Sequence, residues 1–204
     1  MLHKQVEFFW IFPVKGDSAP KIQVTDSHLA LVRNEDGKYG YINEKGEEVT
    51  SFEYSMPYAN FKTNKLELNI ITKTEYDTEG NSTNRRGVID QNGKEIVPCV
   101  YGFIIMDETS DYMVVRETPN SETRSVSRYG IADQNGDFII PFEYNKATLF
   151  GENGWAAIGY YTGEFDELAY TYQCRYIDKK GSVVLELPEK YIDSSEFVSV
   201  KKNY

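Results

Sequence analysis

The chain is poor in the residues that carry most covalent and metal chemistry: its 204 residues include two cysteines and two histidines. Cys99 and Cys174 lie far apart in sequence, and Cys99 sits in the apolar run Val-Pro-Cys-Val. It reads as a buried free thiol rather than half of a disulfide. His3 and His28 have no partner at a metal-ligand spacing, so no zinc site and no other metal is expected. His28, beside Leu29, reads as a strand-entry residue. Gly-x-Ser-x-Gly, Walker A and Gly-x-Gly-x-x-Gly are all missing. Ser18, in Lys-Gly-Asp-Ser-Ala-Pro, lacks the second glycine of a nucleophile turn, and Cys99 has no activating base next to it. No cofactor is implied, and the expectation is a protein that is not an enzyme.

Positive charge is also scarce. Lys and Arg total 22 against 32 Asp and Glu, for a net charge of −10, and the basic doublets are Arg85-Arg86, Lys179-Lys180 and Lys201-Lys202, far apart in the sequence. Nucleic acid is therefore not an expected partner, because counterion release needs a basic stripe. An acidic surface repels anionic lipid and leaves a basic protein partner open. No stretch approaches the ~20 apolar residues of a membrane span. Phe8 to Val14 is apolar and follows Lys4, but Glu7 abuts it and no Ala-x-Ala follows, so a cytoplasmic chain is expected.

What is abundant is aromatic: 16 Tyr, 11 Phe and 2 Trp, with frequent Val and Ile. That bias favours strands. The length suits one core or one repeat array that hides roughly 70% of the unfolded surface. Four segments align on a glycine: YGYINEKGEEVTSFEY from Tyr39, RGVIDQNGKEIVPCVY from Arg86, YGIADQNGDFIIPFEY from Tyr129 and CRYIDKKGSVVLELPEKY from Cys174. The marker glycines Gly46, Gly93, Gly136 and Gly181 are separated by 47, 43 and 45 residues, a period that marks a repeat array.

Each unit reads as a short strand ending at Asn43, Asp90, Asp133 or Asp178, then a polar turn with glycine, then an apolar second strand. Asn92-Gly93 and Asn135-Gly136 suit the positive φ of tight hairpins. Lys45-Gly46 and Lys180-Gly181 keep the glycine for the same left-handed position. Pro98 and Pro141 end the second strand or mark an edge. Third strands follow at Leu66–Ile71, Tyr112–Val115, Trp155–Ile158 and Phe197–Val200, with Leu29–Val32 as the third strand of a truncated leading unit. The expected fold class is all-β: one tandem array of antiparallel β-meander or hairpin repeats over 1–204. It has about four and a half units, near 1–37 (partial), 38–84, 85–127, 128–172 and 173–204. With three strands per unit, an open solenoid-like and a closed propeller-like arrangement both stand.

These segments resemble the WG-repeat family. Its units carry Trp-Gly, a hydrophobic-Ile-Asp strand, a polar turn with glycine and an Ile-Pro-x-x-Tyr-like stretch. Here Tyr39-Gly40, Gly87 and Tyr129-Gly130 match the first element, and Ile42-Asn43, Ile89-Asp90, Ala132-Asp133 and Ile177-Asp178 the second. Pro98, Pro141, Tyr54, Tyr101 and Tyr144 match the last. The likeness runs roughly from Leu29 to Val200. No unit keeps the Trp, Arg86 fills its place once, and the fourth unit lacks the Gly and inserts two residues before Tyr191. The resemblance implies a bacterial β-repeat protein and names no reaction.

The repeated Asp-Gln-Asn-Gly invites a calcium reading, which its spacing denies. An EF-hand loop needs Gly at position 6 and Glu at 12. Counted from Asp90, Gly93 falls at position 4 and Tyr101 at 12. The core is a hairpin turn. Paired carboxylates for glycoside hydrolysis would arise by chance among 32 acids, and Glu53 and Glu143 mark equivalent repeat positions.

One stretch stands apart: GYYTGEFDELAYTYQCRY, Gly159 to Tyr176. Tyr170, Tyr172 and Tyr176 share parity in an extended chain, and Tyr160, Tyr161 and Phe165 face them from the other arm. Two readings stand: a long hairpin held by cross-strand aromatic pairs, or an exposed aromatic binding patch. Glu75–Asn84 and Glu117–Ser127 read as polar mobile loops. The expected function is a protein–protein interaction module. Carbohydrate binding is the alternative, and a carbohydrate-active hydrolase is third.

Overall fold

One small device closes every unit. In a computed structural model of the chain, which describes residues 23–24, 28–55, 65–118, 127–161, 171–187 and 190–191, Gly93 takes φ 77°. Its N–H donates to the Asp90 carbonyl at 3.1 Å, and the Asp90 N–H donates to the Lys94 carbonyl at 3.0 Å. The Asp90 carboxylate accepts from the backbone N–H of Asn92 (2.8 Å) and of Lys94 (2.9 Å). Asp133, Asp178 and Asn43 accept two turn amides in the same way. Only the glycine is left-handed and Asn92 is not, so this is a type I turn followed by a bulge glycine rather than a turn with both central residues at positive φ. That is why Lys-Gly serves as well as Asn-Gly.

Strands alternating apolar residues on two faces fill the space between turns. The first sheet holds β1 (Gln23–Val24), β2 (Ala30–Arg33) and β3 (Tyr39–Ile42). The second holds β4 (Asn69–Tyr76), β5 (Ser82–Ile89) and β6 (Glu95–Tyr101). The third is a four-stranded meander of β7 (Phe103–Ile105), β8 (Tyr112–Arg116), β9 (Tyr129–Asp133) and β10 (Phe138–Tyr144). The fourth runs through β11 (Lys146–Ala147), β12 (Ala156–Tyr161), β13 (Thr171–Ile177) and β14 (Val183–Glu186), with β15 (Lys190–Tyr191) also on β13. All pairings are antiparallel, and the described residues contain no helix. No helix there is long and apolar enough to cross a membrane.

Sheets and sequence units are offset by one strand. The third strand of a unit pairs with the first strand of the next, as in Val114↔Ile131 and Ile158↔Arg175. Leu29–Val32 therefore completes the first sheet, through Leu31↔Tyr41. A short fourth strand escaped the sequence reading because two or three residues carry no period. It starts directly after the unit-ending tyrosine: the N–H groups of Ser55, Gly102 and Asn145 donate to Thr72, Arg116 and Gly159 carbonyls at 2.7, 2.9 and 2.8 Å.

The segment Glu75–Asn84 is also ordered hairpin rather than loop. Its Asp77–Asn81 turn repeats the bulge-glycine device with Gly80 at φ 85°. Arg85 and Glu75 pair across it at 2.9 Å. The Asp-Thr-Glu-Gly string was there to be read. Of Glu117–Ser127, residues 119–126 lie outside the described residues.

Three cores lie between neighbouring sheets. Leu29, Leu31, Tyr41, Tyr54, Ile71 and Ile89 join the first and second. Val88, Val97, Met113, Val115 and Ala132 join the second and third. Val114, Ile131, Ile140, Phe150, Ala156, Ile158 and Ile177 join the third and fourth. Strands of the middle sheets are apolar on both faces because both faces are covered; Met113 and Val115 point one way and Val114 the other. None of the three cores joins the first sheet to the fourth, so among the described residues the array is open.

The glycines bind unit to unit. A Cβ on Gly93 would sit 2.6 Å from the Val49 carbonyl oxygen, and one on Gly136 would sit 2.2 Å from that of Ile96. On Gly181 it would meet the Ile140 Cδ1 at 3.3 Å. These three turns are thus seated on the second strand of the preceding unit, and at Gly93 and Gly136, which face a carbonyl oxygen, only glycine allows the approach. The glycines of the Trp-Gly positions serve a different close approach, inside the unit. A Cβ on Gly40 would meet the Phe52 ring at 3.1 Å, one on Gly87 the Cys99 backbone at 2.8 Å, and one on Gly130 the Phe142 ring at 3.3 Å. At Gly87 and Gly130 the register with the second strand shifts, so the Ile-Pro-x-x-Tyr segment arches over the glycine as a bulge.

Candidate functional site

The same repeat arithmetic isolates one surface. Counting from each marker glycine, the residues five before and four after are Tyr41 and Thr50, Val88 and Val97, Ile131 and Ile140, and finally Tyr176 and Leu185. The first three pairs are buried beneath the next unit. In the last, Tyr176 is half-buried, and Leu185 is 44% exposed where Ile140 is 2% and Val97 0%. The fourth sheet thus turns a core-type face outward.

Its geometry follows from the β12–β13–β14 register. Ala157 opposes Tyr176, which opposes Leu185, so these three form a row across the sheet. Trp155 flanks the row, its ring 6.4 Å from that of Tyr176. Trp155 is 40% exposed, Val183 51% and Val184 39%, so all the apolar residues of β14 reach solvent. β14 also lacks the proline found five residues after the glycine in β6 and β10, where Pro98 and Pro141 blunt the edge. Cys174 is buried on the same face, and burial pushes its thiol pKa up, away from the reactive thiolate.

The sequence-derived patch divides here. β12 and β13 do pair as one hairpin, from Ala156↔Ile177 to Tyr161↔Tyr172. Tyr160 and Tyr176 fall on opposite faces of it. Tyr160 lies on the face toward the third sheet, where its hydroxyl bonds the Gln173 side chain and its ring carries the Arg175 guanidinium at 5.0 Å. Arg175 pairs Glu186 at 2.7 Å, which holds the guanidinium pKa above its ordinary value. Tyr160 is thereby tied into a polar ladder on that face. The side chains of Tyr161 and Tyr172, and residues 162–170 with Phe165 and Tyr170, lie outside the described residues. Trp155, Val183, Val184 and Leu185 were missed in the sequence. The signal was the alignment itself: Leu185 occupies a column of core residues, and among the described residues no later unit packs over it.

The other sequence candidates resolve into structure. Asp90 and Asp133 spend a carboxylate oxygen on turn amides. His28, at φ 61°, bonds Glu44 Oε1 through Nδ1 at 2.8 Å where the chain enters β2. Cys99 is half-buried, with its Sγ donating to the Arg85 carbonyl at 3.3 Å and its pKa raised by desolvation. Glu53 pairs Lys73 at 2.9 Å, which keeps its carboxyl below the usual range.

Comparison with known proteins accords with this geometry. The profile described as WG containing repeat matches residues 39–60, 87–117 and 129–159. The matches stop short of the fourth unit, the one that departs from the pattern. No curated protein gives a significant match. Among solved structures, one titled "Crystal structure of the eukaryotic initiation factor" aligns over 84% of this chain at 10% identity and a TM-score of 0.40. The chain spans 43% of that protein's length.

Proposed function

Since this chain belongs to the WG containing repeat family, we propose that it is a non-enzymatic interaction module that binds another protein through the free face of its terminal sheet. The reading takes the chain to be bacterial and cytoplasmic. One observation carries it: Leu185 and Tyr176 occupy the columns that are buried between units everywhere else, yet Leu185 stands 44% exposed. Adjacent exposed apolar side chains of this kind mark contact surfaces. An aromatic and aliphatic centre is the usual anchor of a protein interface.

A second reading is favoured by the Trp155–Tyr176 ring pair, since exposed aromatic rings also stack on sugars. The two part on experiment. Capture from native lysate should yield a protein with the parent chain and lose it with Leu185→Glu. Glycan-array signal that disappears in Trp155→Ala, Tyr172→Ala or Tyr176→Ala, without any protein captured, would instead establish the carbohydrate reading.

A further inference from the structure

The two ends of the array are not alike. On the first sheet, Leu31 and Tyr41 point into the core shared with the second, so Ala30, Val32 and Ile42 point away from it. Val32 and Ile42 are nevertheless only 8% exposed. The leading face is already covered, whereas the trailing face, with Trp155, Tyr176 and Leu185, is not. We propose that two copies of this chain associate through their trailing faces, face to face about a two-fold axis. This rests on the reading of that face as an interaction surface and names its occupant.

Three features select a second copy in this orientation. A sheet face of this repeat is built to pack on another sheet face, as it does three times within the chain. Head-to-tail stacking would need an uncovered leading face, and the burial of Val32 and Ile42 removes it. The described face positions of β11, β12, β13 and β14 are Lys146, Ala157, Gly159, Cys174, Tyr176 and Leu185, and the one charge among them, Lys146, lies on the edge strand β11. A partner recruited by charge finds a single charge there, at the β11 edge and away from the Tyr176–Leu185 row. Across the Ala157, Tyr176 and Leu185 row, two chains of net charge −10 meet without like charges in contact. Arg175 and Glu186 neutralise each other on the opposite face. Because each copy uses the same patch, assembly closes at two.

The test is sedimentation velocity on the full chain across about a hundredfold range of concentration, where association shifts by mass action. The expected result is a reversible monomer–dimer equilibrium with no larger species. Leu185→Glu would bury one unpaired carboxylate from each copy and should weaken association about a hundredfold or more. Because Leu185 is 44% exposed, the variant should fold. Val184→Glu, at the bulge beside Leu185, should weaken it less. Tyr76→Glu, at a 72% exposed aromatic on the second sheet, should leave it unchanged. A chain that is monomeric throughout, or that grows beyond two copies, or whose dimer survives Leu185→Glu, overturns the proposal. A monomer that still captures a lysate protein through Leu185 sinks only this inference. A monomer that captures nothing sinks the interaction reading with it.

Discussion

The third and fourth sheets share one repeat pattern and differ in what lies beyond them. In the third, Ile140 sits under the Gly181 turn and is 2% exposed; in the fourth, the equivalent Leu185 is 44% exposed. Strand pairing, turn chemistry and the inward face are the same in both. The difference teaches that a unit of this array is finished by its successor: burial of the second strand is a property of the pair of units. Units that bury surface only against neighbours couple in a one-dimensional chain.

The largest expected effects come from turns that are seated. Gly136→Val meets positive φ and a carbonyl oxygen 2.2 Å from the new Cβ. It should lower stability by on the order of 3 kcal/mol or more, combining backbone strain with overpacking. Gly46 has φ 80° but nothing within 4 Å of its Cβ position, so Gly46→Val should cost only the conformational part, about 1–2 kcal/mol. Urea denaturation of the two variants beside the parent chain makes the comparison. Equal losses would mean that seating contributes nothing.

A smaller effect separates the two apolar columns. Ile140→Ala should cost about 2–5 kcal/mol because it opens a cavity in a packed core. Leu185→Ala should cost under about 1 kcal/mol in the monomer. Denaturation at a protein concentration too low for association checks this, and a large loss at Leu185 would mean that the terminal face is covered after all.

The smallest effect is the acid dependence of the last turn. Backbone N–H groups of Ser182, then Lys180, hold the Asp178 carboxyl below its ordinary range. A depressed folded-state pKa contributes stability that is present above the unfolded pKa and is lost as pH falls through the folded one. Asp178→Asn should keep both amide bonds, as Asn43 does in the first unit. It should also flatten that part of the stability profile between about pH 5 and pH 2. A melting profile unchanged in shape would remove the carboxylate from the account.

Much of this was legible in sequence because the repeat states each rule four times. The marker glycines, the Asp or Asn at each strand end and the Val and Ile runs gave the turns, the strands and the all-β array. Residues whose role exists only across units were not legible. Nothing local says that Gly136 lies against Ile96, or that Gly87 clears the Cys99 backbone. The short strands at Phe103–Ile105 and Lys146–Ala147 had no period to read. At the site, parity grouped Tyr172 with Tyr176 but could not place Tyr160 on the opposite face, which depends on the β12–β13 register. Leu185 looked like any core leucine, because its exposure depends on whether another unit packs over it.

The claim that each turn stabilises the unit before it is tested most directly by residue-resolved hydrogen exchange on Gly136→Val. The account predicts faster exchange at the variant's own β9 and β10 and also at β6, in the preceding sheet, where Ile96 receives the turn. The same measurement on Gly46→Val should show acceleration confined to residues 39–54. Acceleration limited to β9 and β10 in Gly136→Val would show that the units stand alone, and would contradict the account.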